Sequence, residues 1–276
     1  MTESVYRPDA HDGLLQPGDP PPFTILNAQG ATPAVLLCDH ASNAIPAALG
    51  DLGLDEAARS RHIAWDIGAA EVTRHLTEIL DMPAALSGYS RLVVDCNRSH
   101  DDPTAMRQIS DGTIVPGNRG LDATARALRA EGCYWPYHRA VTGLIDAAAR
   151  GATPAIISIH TCTPVMKDFE RPWHIGVLSN HDRRMADLLI AELGRDSTLC
   201  VGDNQPYSGL DPHGYTIENH ALPQGRPNVL LEIRQDLVDT RHGARHWAEL
   251  VGKALANVIA HPDMAQAVGA DVREAS

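Results

Sequence analysis

A chain of 276 residues with 35 Asp and Glu against 23 Lys and Arg carries a formal charge of −12. Its basic residues do not cluster, which excludes a duplex-binding surface and nucleic acid as a partner. No apolar run approaches the ~20 residues of a membrane-spanning helix, and residues 1–25 lack the basic and apolar regions of a signal peptide, so a cytoplasmic protein with no membrane partner is expected.

Hydrophobic residues make up 43% and aromatics 4%, so the core that a chain this long can bury is aliphatic and alanine-rich. The five cysteines are odd in number, widely spaced and without a C-x-x-C pair. That argues against a disulfide framework and a cysteine-built zinc site, and for buried free thiols. Fourteen histidines are many for this length; either composition has drifted or several serve a metal or a proton.

In chain order, residues 1–25 read as an extended arm, since Pro17, Pro20, Pro21 and Pro22 forbid a helix. Residues 26–276 then read as one domain. Ala34–Cys38 is a short apolar run, the pattern of a central strand. Asp55 is a fitting N-cap for a helix reaching about Leu80, and Ser90–Asp95 reads as a second strand. Residues 99–120 read as a long loop of the kind that is usually functional. A helix over Asp122–Ala149, a strand over Ala155–Ile159, a strand over Trp173–Leu178 and a helix over Asp182–Leu193 follow. Two short strand-like stretches surround Gly209 and Gly214. Val229–Ile233 is another buried strand, and Arg241–Ile259 a last helix. Alternating helices and continuous apolar strands predict an α/β fold: a mixed, largely parallel sheet with helices on both faces.

Ligands in such sheets sit beyond the carboxyl ends of the strands. There the sequence puts Asp39-His40 after the first apolar run and His160-Thr161 after a later one, while Glu232 interrupts another. A catalytic zinc site wants about three protein ligands and an open position. His40 and His160 supply two, and Asp66 is the candidate third unless it only pairs with His62 one turn earlier. A His-x-x-Glu zinc motif would have Glu where Asn43 stands. Glu232 is costly to bury unless paired, with Arg234 at i+2 as the obvious partner, or functional as a proton carrier beside a metal site. Arg91 and Arg98, with Asn97 beside the second, either form structural salt bridges or bind an anionic substrate bidentately.

Taken together, Cys38–Asn43, Ala64–Gly68, Ser90–Arg98, Ser158–Thr161, Gly202–Ser208, Gly214–His220 and Leu231–Asp236 resemble the N-formylglutamate amidohydrolase family, in family order. The Arg-Leu-Val-Val-Asp-x-Asn-Arg string is the most specific of these. The family is similar in fold to zinc carboxypeptidases and aspartoacylases, which implies a zinc-exopeptidase-like sheet. The resemblance implies His40, Asp66 and His160 as ligands of one divalent ion, zinc foremost, and Glu232 with Arg91 as catalytic residues. Asn97, Arg98, Asn43 and Thr161 would contact substrate. The implied reaction is hydrolysis of N-formyl-L-glutamate to formate and L-glutamate, a step of amino-acid catabolism, by a monomer or small homo-oligomer. Another small N-acyl amino acid or amide as substrate, and a non-catalytic anion-binding protein on the same scaffold, are the alternatives. No G-x-G-x-x-G or P-loop pattern supports a nucleotide.

Overall fold

The computed structural model describes residues 13–149, 153–210 and 214–265. Residues 1–12 of the expected arm lie outside the described residues. The remainder of the arm packs down: Leu14 is buried against the second of two cores, and Phe23–Leu26 (β1) pairs antiparallel with Ala84–Ser87.

Ala34–Cys38 (β2) is buried along its whole length. Ala34, Leu36 and Cys38 face one core, and Val35 and Leu37 face the other. Burial on both faces is why the strand reads as an unbroken apolar run. The expected helix from Asp55 is two helices. Asp55 caps the first (α1, Glu56–Ser60), its carboxylate accepting from the Ala58 N–H. The second (α2, Ala69–Leu80) begins only after Gly68. Gly68 has φ +83°, and a Cβ there would stand 2.4 Å from the Val238 carbonyl oxygen. Only glycine takes that conformation at that distance, so the helix cannot run through.

The second strand is Ala84–Ser87 (β3), not Ser90–Asp95. Leu92, Val93 and Val94 are buried, which explains the apolar run, but side chains capture the local backbone. Ser90 Oγ accepts from the Leu92 N–H at 3.1 Å, and Asp95 Oδ1 accepts from the Asn97 N–H at 3.0 Å. Such bonds compete with a ladder. Within 99–120 the chain forms a small hairpin, Ile109–Ser110 (β4) and Thr113–Ile114 (β5), between two 3₁₀ turns.

Ala123–Arg129 (α3), a π-helical turn and Trp135–Ala148 (α4) fill the expected long helix. Ala155–Cys162 (β6) runs past His160, so that residue lies within the strand rather than after it. A hairpin of Val165–Met166 (β7) and Phe169–Glu170 (β8) leads to Ile175–Leu178 (β9), Arg184–Leu193 (α5) and Val201–Asp203 (β10). The stretch after Gly214 is helix, Thr216–His220 (α6), not strand. Asn228–Arg234 (β11) and Arg241–Ile259 (α7) stand where the pattern puts them.

The seven main strands order as β1-β3-β2-β6-β11-β9-β10. The central four, β3, β2, β6 and β11, are mutually parallel. β1 runs antiparallel to β3, and β9 antiparallel to β11. Helices α2, α5 and α7 cover one face, and α4 with residues 89–96 covers the other. The parallel centre brings the carboxyl ends of β2, β6 and β11 side by side.

Candidate metal centre and active site

His40, Asp66 and His160 converge, although 120 residues separate the first from the last. One ligand atom from each lies within 4.8 Å of the others, and all three residues are buried. Asp66 Oδ2 sits between the two imidazoles, 3.2 Å from His40 Nδ1 and 2.9 Å from His160 Nδ1. The helix break at Gly68 makes this possible. It leaves residues 61–67 as a turn whose Asp66 N–H donates to the His40 carbonyl at 3.0 Å, docking the carboxylate onto the end of β2.

The far nitrogen of each imidazole also meets a carboxylate. His40 Nε2 lies 2.7 Å from Asp95 Oδ1, and His160 Nε2 lies 3.3 Å from Asp39 Oδ2 and 3.0 Å from Ser158 Oγ. Carboxylates behind metal-binding imidazoles fix ring orientation and raise ligand basicity. Asp39 is itself held by the Tyr137 hydroxyl at 2.8 Å and the Thr216 hydroxyl at 2.9 Å. Asp95 is held by Arg91, whose Nε and Nη2 donate to Oδ2 at 3.0 and 2.6 Å. Two imidazole nitrogens and one carboxylate oxygen, with both rings backed by acid, fit a divalent ion of zinc's preferences.

The charges agree with this wiring. Burial disfavours the His160 imidazolium, but hydrogen bonds and charge from Asp39 and Asp66 outweigh it and raise its pKa to about 10. His40 is pushed down by burial and Arg91, yet Asp95 and Asp66 leave it raised. Asp39 is lowered to about 2, burial being outweighed by His160. Asp66 and Asp95 are held well below the usual carboxylate range, the first against burial by the two histidines and the second by Arg91 and His40.

Glu232 behaves oppositely. It is registered directly across from His160 on the neighbouring parallel strand. It is buried, and its Oε2 has no hydrogen-bond partner. Burial raises its pKa to about 7. The suggested pairing with Arg234 does not form, because Arg234 Nε binds Asp236 at 2.8 Å. Nor does His62 pair with Asp66; its Nε2 lies 3.4 Å from Asp111.

Arg91 reaches the cluster, its Nη1 3.6 Å from Asp66 Oδ1. Arg98 adds positive charge beside Asp95. Asn97 Oδ1 accepts from the Tyr215 and Thr216 N–H groups at 2.9 and 3.1 Å, clasping the start of α6. Asn43 Nδ2 donates to the Arg59 carbonyl at 3.1 Å. The Thr161 hydroxyl donates to the Ile67 carbonyl at 2.8 Å, which ties β6 to the turn carrying Asp66. Sequence reasoning gave Asp39 and Asp95 no role. Their only signal was position, the first beside His40 and the second inside the Arg-Leu-Val-Val-Asp string.

The sequence model of the N-formylglutamate amidohydrolase family matches residues 32–238, a span that holds every residue of this site. The crystal structure of a gene product of Agrobacterium tumefaciens is similar at 36% identity and a TM-score of 0.84, covering 89% of this chain and 99% of that one. That of an N-formylglutamate amidohydrolase from Ralstonia eutropha is similar in fold at 20% identity and a TM-score of 0.66, covering 86% and 97%. No functionally curated protein matches. With a family match across three quarters of its length, the chain belongs to the N-formylglutamate amidohydrolase family, hydrolases that act on amide bonds.

Proposed function

We propose that this protein hydrolyses the amide bond of a small anionic N-acyl amino acid, N-formyl-L-glutamate foremost, to formate and L-glutamate. His40, Asp66 and His160 would hold one divalent ion, zinc by the chemistry of the donor set. A single observation carries the reading: a buried carboxylate without a hydrogen-bond partner at Oε2 faces a cluster of three metal-type donors. A fold pays for such a group only where it serves chemistry.

A bound ion of this kind polarises an amide carbonyl and makes water acidic enough to attack near neutral pH. Glu232 takes the proton of the attacking water. Raised to about 7, it is then able to hand that proton to the leaving nitrogen, which an amide requires before its C–N bond breaks. Arg91, held in place by Asp95 and close to Asp66, directs positive charge at the oxyanion that develops on the carbonyl oxygen. Arg98 receives a substrate carboxylate. Asn97 positions this segment through its clasp on α6.

The test is formate release by zinc-loaded protein from N-formyl-L-glutamate, run beside N-formyl-L-glutamine and N-acetyl-L-glutamate. We expect turnover that a chelator abolishes and zinc restores. Fully metal-loaded protein that releases neither formate nor acetate from any of the three would refute the reading.

A further inference from the structure

The helix of the Gly214–His220 stretch, α6, has no chemical part in the scheme above. It is nevertheless packed behind the metal centre, with Thr216 0% exposed and His220 5%. The residues that follow Asp95 hold it at both ends. At its start, Asn97 Oδ1 accepts from the Tyr215 and Thr216 N–H groups at 2.9 and 3.1 Å. At its finish, His138 of α4 bridges His220 to the Cys96 carbonyl: His138 Nδ1 lies 3.0 Å from His220 Nε2, and His138 Nε2 lies 3.0 Å from the carbonyl oxygen. Burial pushes both imidazoles down, so each carries one ring hydrogen near neutrality. A carbonyl only accepts, so the hydrogen of His138 is on Nε2; its Nδ1 then accepts, and His220 donates from Nε2. A helix of five residues has little stability of its own, and these contacts decide where it sits.

What α6 delivers is the Thr216 hydroxyl, which donates to Asp39 Oδ1 at 2.9 Å. The other oxygen of Asp39 lies 3.3 Å from His160 Nε2. On the opposite side, Asp95 Oδ1 accepts from the Asn97 N–H at 3.0 Å and lies 2.7 Å from His40 Nε2. One chain of polar contacts therefore runs behind the site, from His40 through Asp95, Asn97, Thr216 and Asp39 to His160. Its two ends are the imidazoles that flank Asp66 Oδ2. The Tyr137 hydroxyl reaches the same Asp39 oxygen at 2.8 Å, but it does so from α4, outside this chain.

We propose that Thr216 is a positioning residue for the metal ligand His160, and that the Asn97 side chain acts on His160 only through it, so that α6 couples the orientations of the two ligand imidazoles. Groups behind a metal-binding imidazole fix its ring and are worth ~10–100-fold in metal affinity. Thr216 stands one contact further back and shares Asp39 with Tyr137, so the lower figure applies. The assignment rests on the metal centre of the amidohydrolase reading, but zinc binding tests it without turnover.

The experiment measures zinc affinity by competition with a chromophoric chelator. Beside it, the visible spectrum of cobalt-loaded protein reads the geometry around the ion. Thr216→Val removes the hydroxyl and should weaken zinc binding ~10-fold and shift the cobalt bands. Thr216→Ser keeps the hydroxyl and should recover both. Asn97→Ala removes the acceptor for α6, leaves the backbone N–H on Asp95, and should cost about as much as Thr216→Val. Combined with Thr216→Val it should cost no more than the costlier of the two alone, whereas its loss and that of Tyr137→Phe should multiply. Half-buried Asn97 decides the matter if Thr216→Val does not fold, since Asn97→Ala must then lower the affinity by itself. Wild-type affinity in either variant would overturn the proposal. So would Thr216→Ser that recovers nothing, or losses of Asn97→Ala and Thr216→Val that multiply. Zinc affinity that depends on Thr216 in a protein that releases no formate would keep this assignment and remove the hydrolytic reading instead.

Discussion

Replacing Glu232 by Gln should move stability and activity in opposite directions. The side chain is buried, its Oε2 has no partner, and its pKa is raised from 4.5 to about 7, chiefly by burial. A group whose folded pKa is raised holds its proton at a pH where the unfolded chain has lost it. Its contribution is therefore fully present below 4.5 and is lost as pH rises through about 7. At 1.36 kcal/mol per pKa unit, the ionised carboxylate costs the metal-free fold about 3 kcal/mol at pH 8. Gln keeps the shape and carries no charge, so metal-free Glu232→Gln should melt higher at pH 8 by several degrees, at roughly 2–4 °C per kcal/mol. The gap should close at pH 4.5. In the zinc-loaded enzyme the same change removes the proton carrier and should cut kcat by ~10²–10⁴. Thermal melts of chelator-treated protein at both pH values, beside kcat and metal content on the same preparation, read all of this. A variant that melts lower than wild type and turns over within a few-fold of it would mean that Glu232 is a structural residue, and the mechanism would fall.

His160→Ala should lose stoichiometric metal by elemental analysis; full retention would remove it from the ligand set. Asp95→Asn takes the charge from behind His40 and should weaken zinc binding by ~10–100-fold in competition with a chromophoric chelator, whereas unchanged affinity would mean that Asp95 only anchors Arg91. Metal uptake should expel protons. With His160 raised to about 10, its ring is protonated in the metal-free protein near neutrality, Asp95 and Asp66 raise His40 as well, and only neutral imidazole binds metal. Apparent zinc affinity should therefore climb with pH until about 10, and titration calorimetry in buffers of different ionisation enthalpy should count at least one proton released. A buffer-independent heat would refute it.

The central strands were legible because both of their faces are buried: β2, β6 and β11 carry no alternation to confuse the pattern. The same signal failed at Ser90–Asp95, where Leu92, Val93 and Val94 are as apolar as any strand. There the burial is real, and the ladder is lost to bonds made by Ser90 and Asp95. Periodicity carried the helix from Asp55 straight across Gly68, since the obstacle is Val238, 170 residues away. The candidate ligands came from strand position and residue type, and the structure brings all three together. Asp39 and Asp95 were illegible because a backing carboxylate is defined only by which ring it touches. Likewise the high histidine count held more than candidate metal ligands. His138 Nδ1 lies 3.0 Å from His220 Nε2 beside the second core, the two rings stack with centroids 5.2 Å apart, and burial pushes both imidazoles down.

Four carboxyl groups crowd this site, and the fold splits them by what each one touches. Asp39, Asp66 and Asp95 each meet an imidazole or a guanidinium and are driven down, so they stay anionic at any working pH. Glu232 is comparably buried but forms no hydrogen bond or ion pair with either among the described residues, so burial outweighs the charge of the nearby histidines and drives it up to about 7. Carboxylates pushed apart in this way divide the labour of acid–base catalysis. The low three can hold or orient a cation but are too weakly basic to carry protons near neutrality, whereas the fourth gains and loses one there. The register that pairs Glu232 with His160, and the glycine at 176 that leaves no side chain opposite it, maintain the difference.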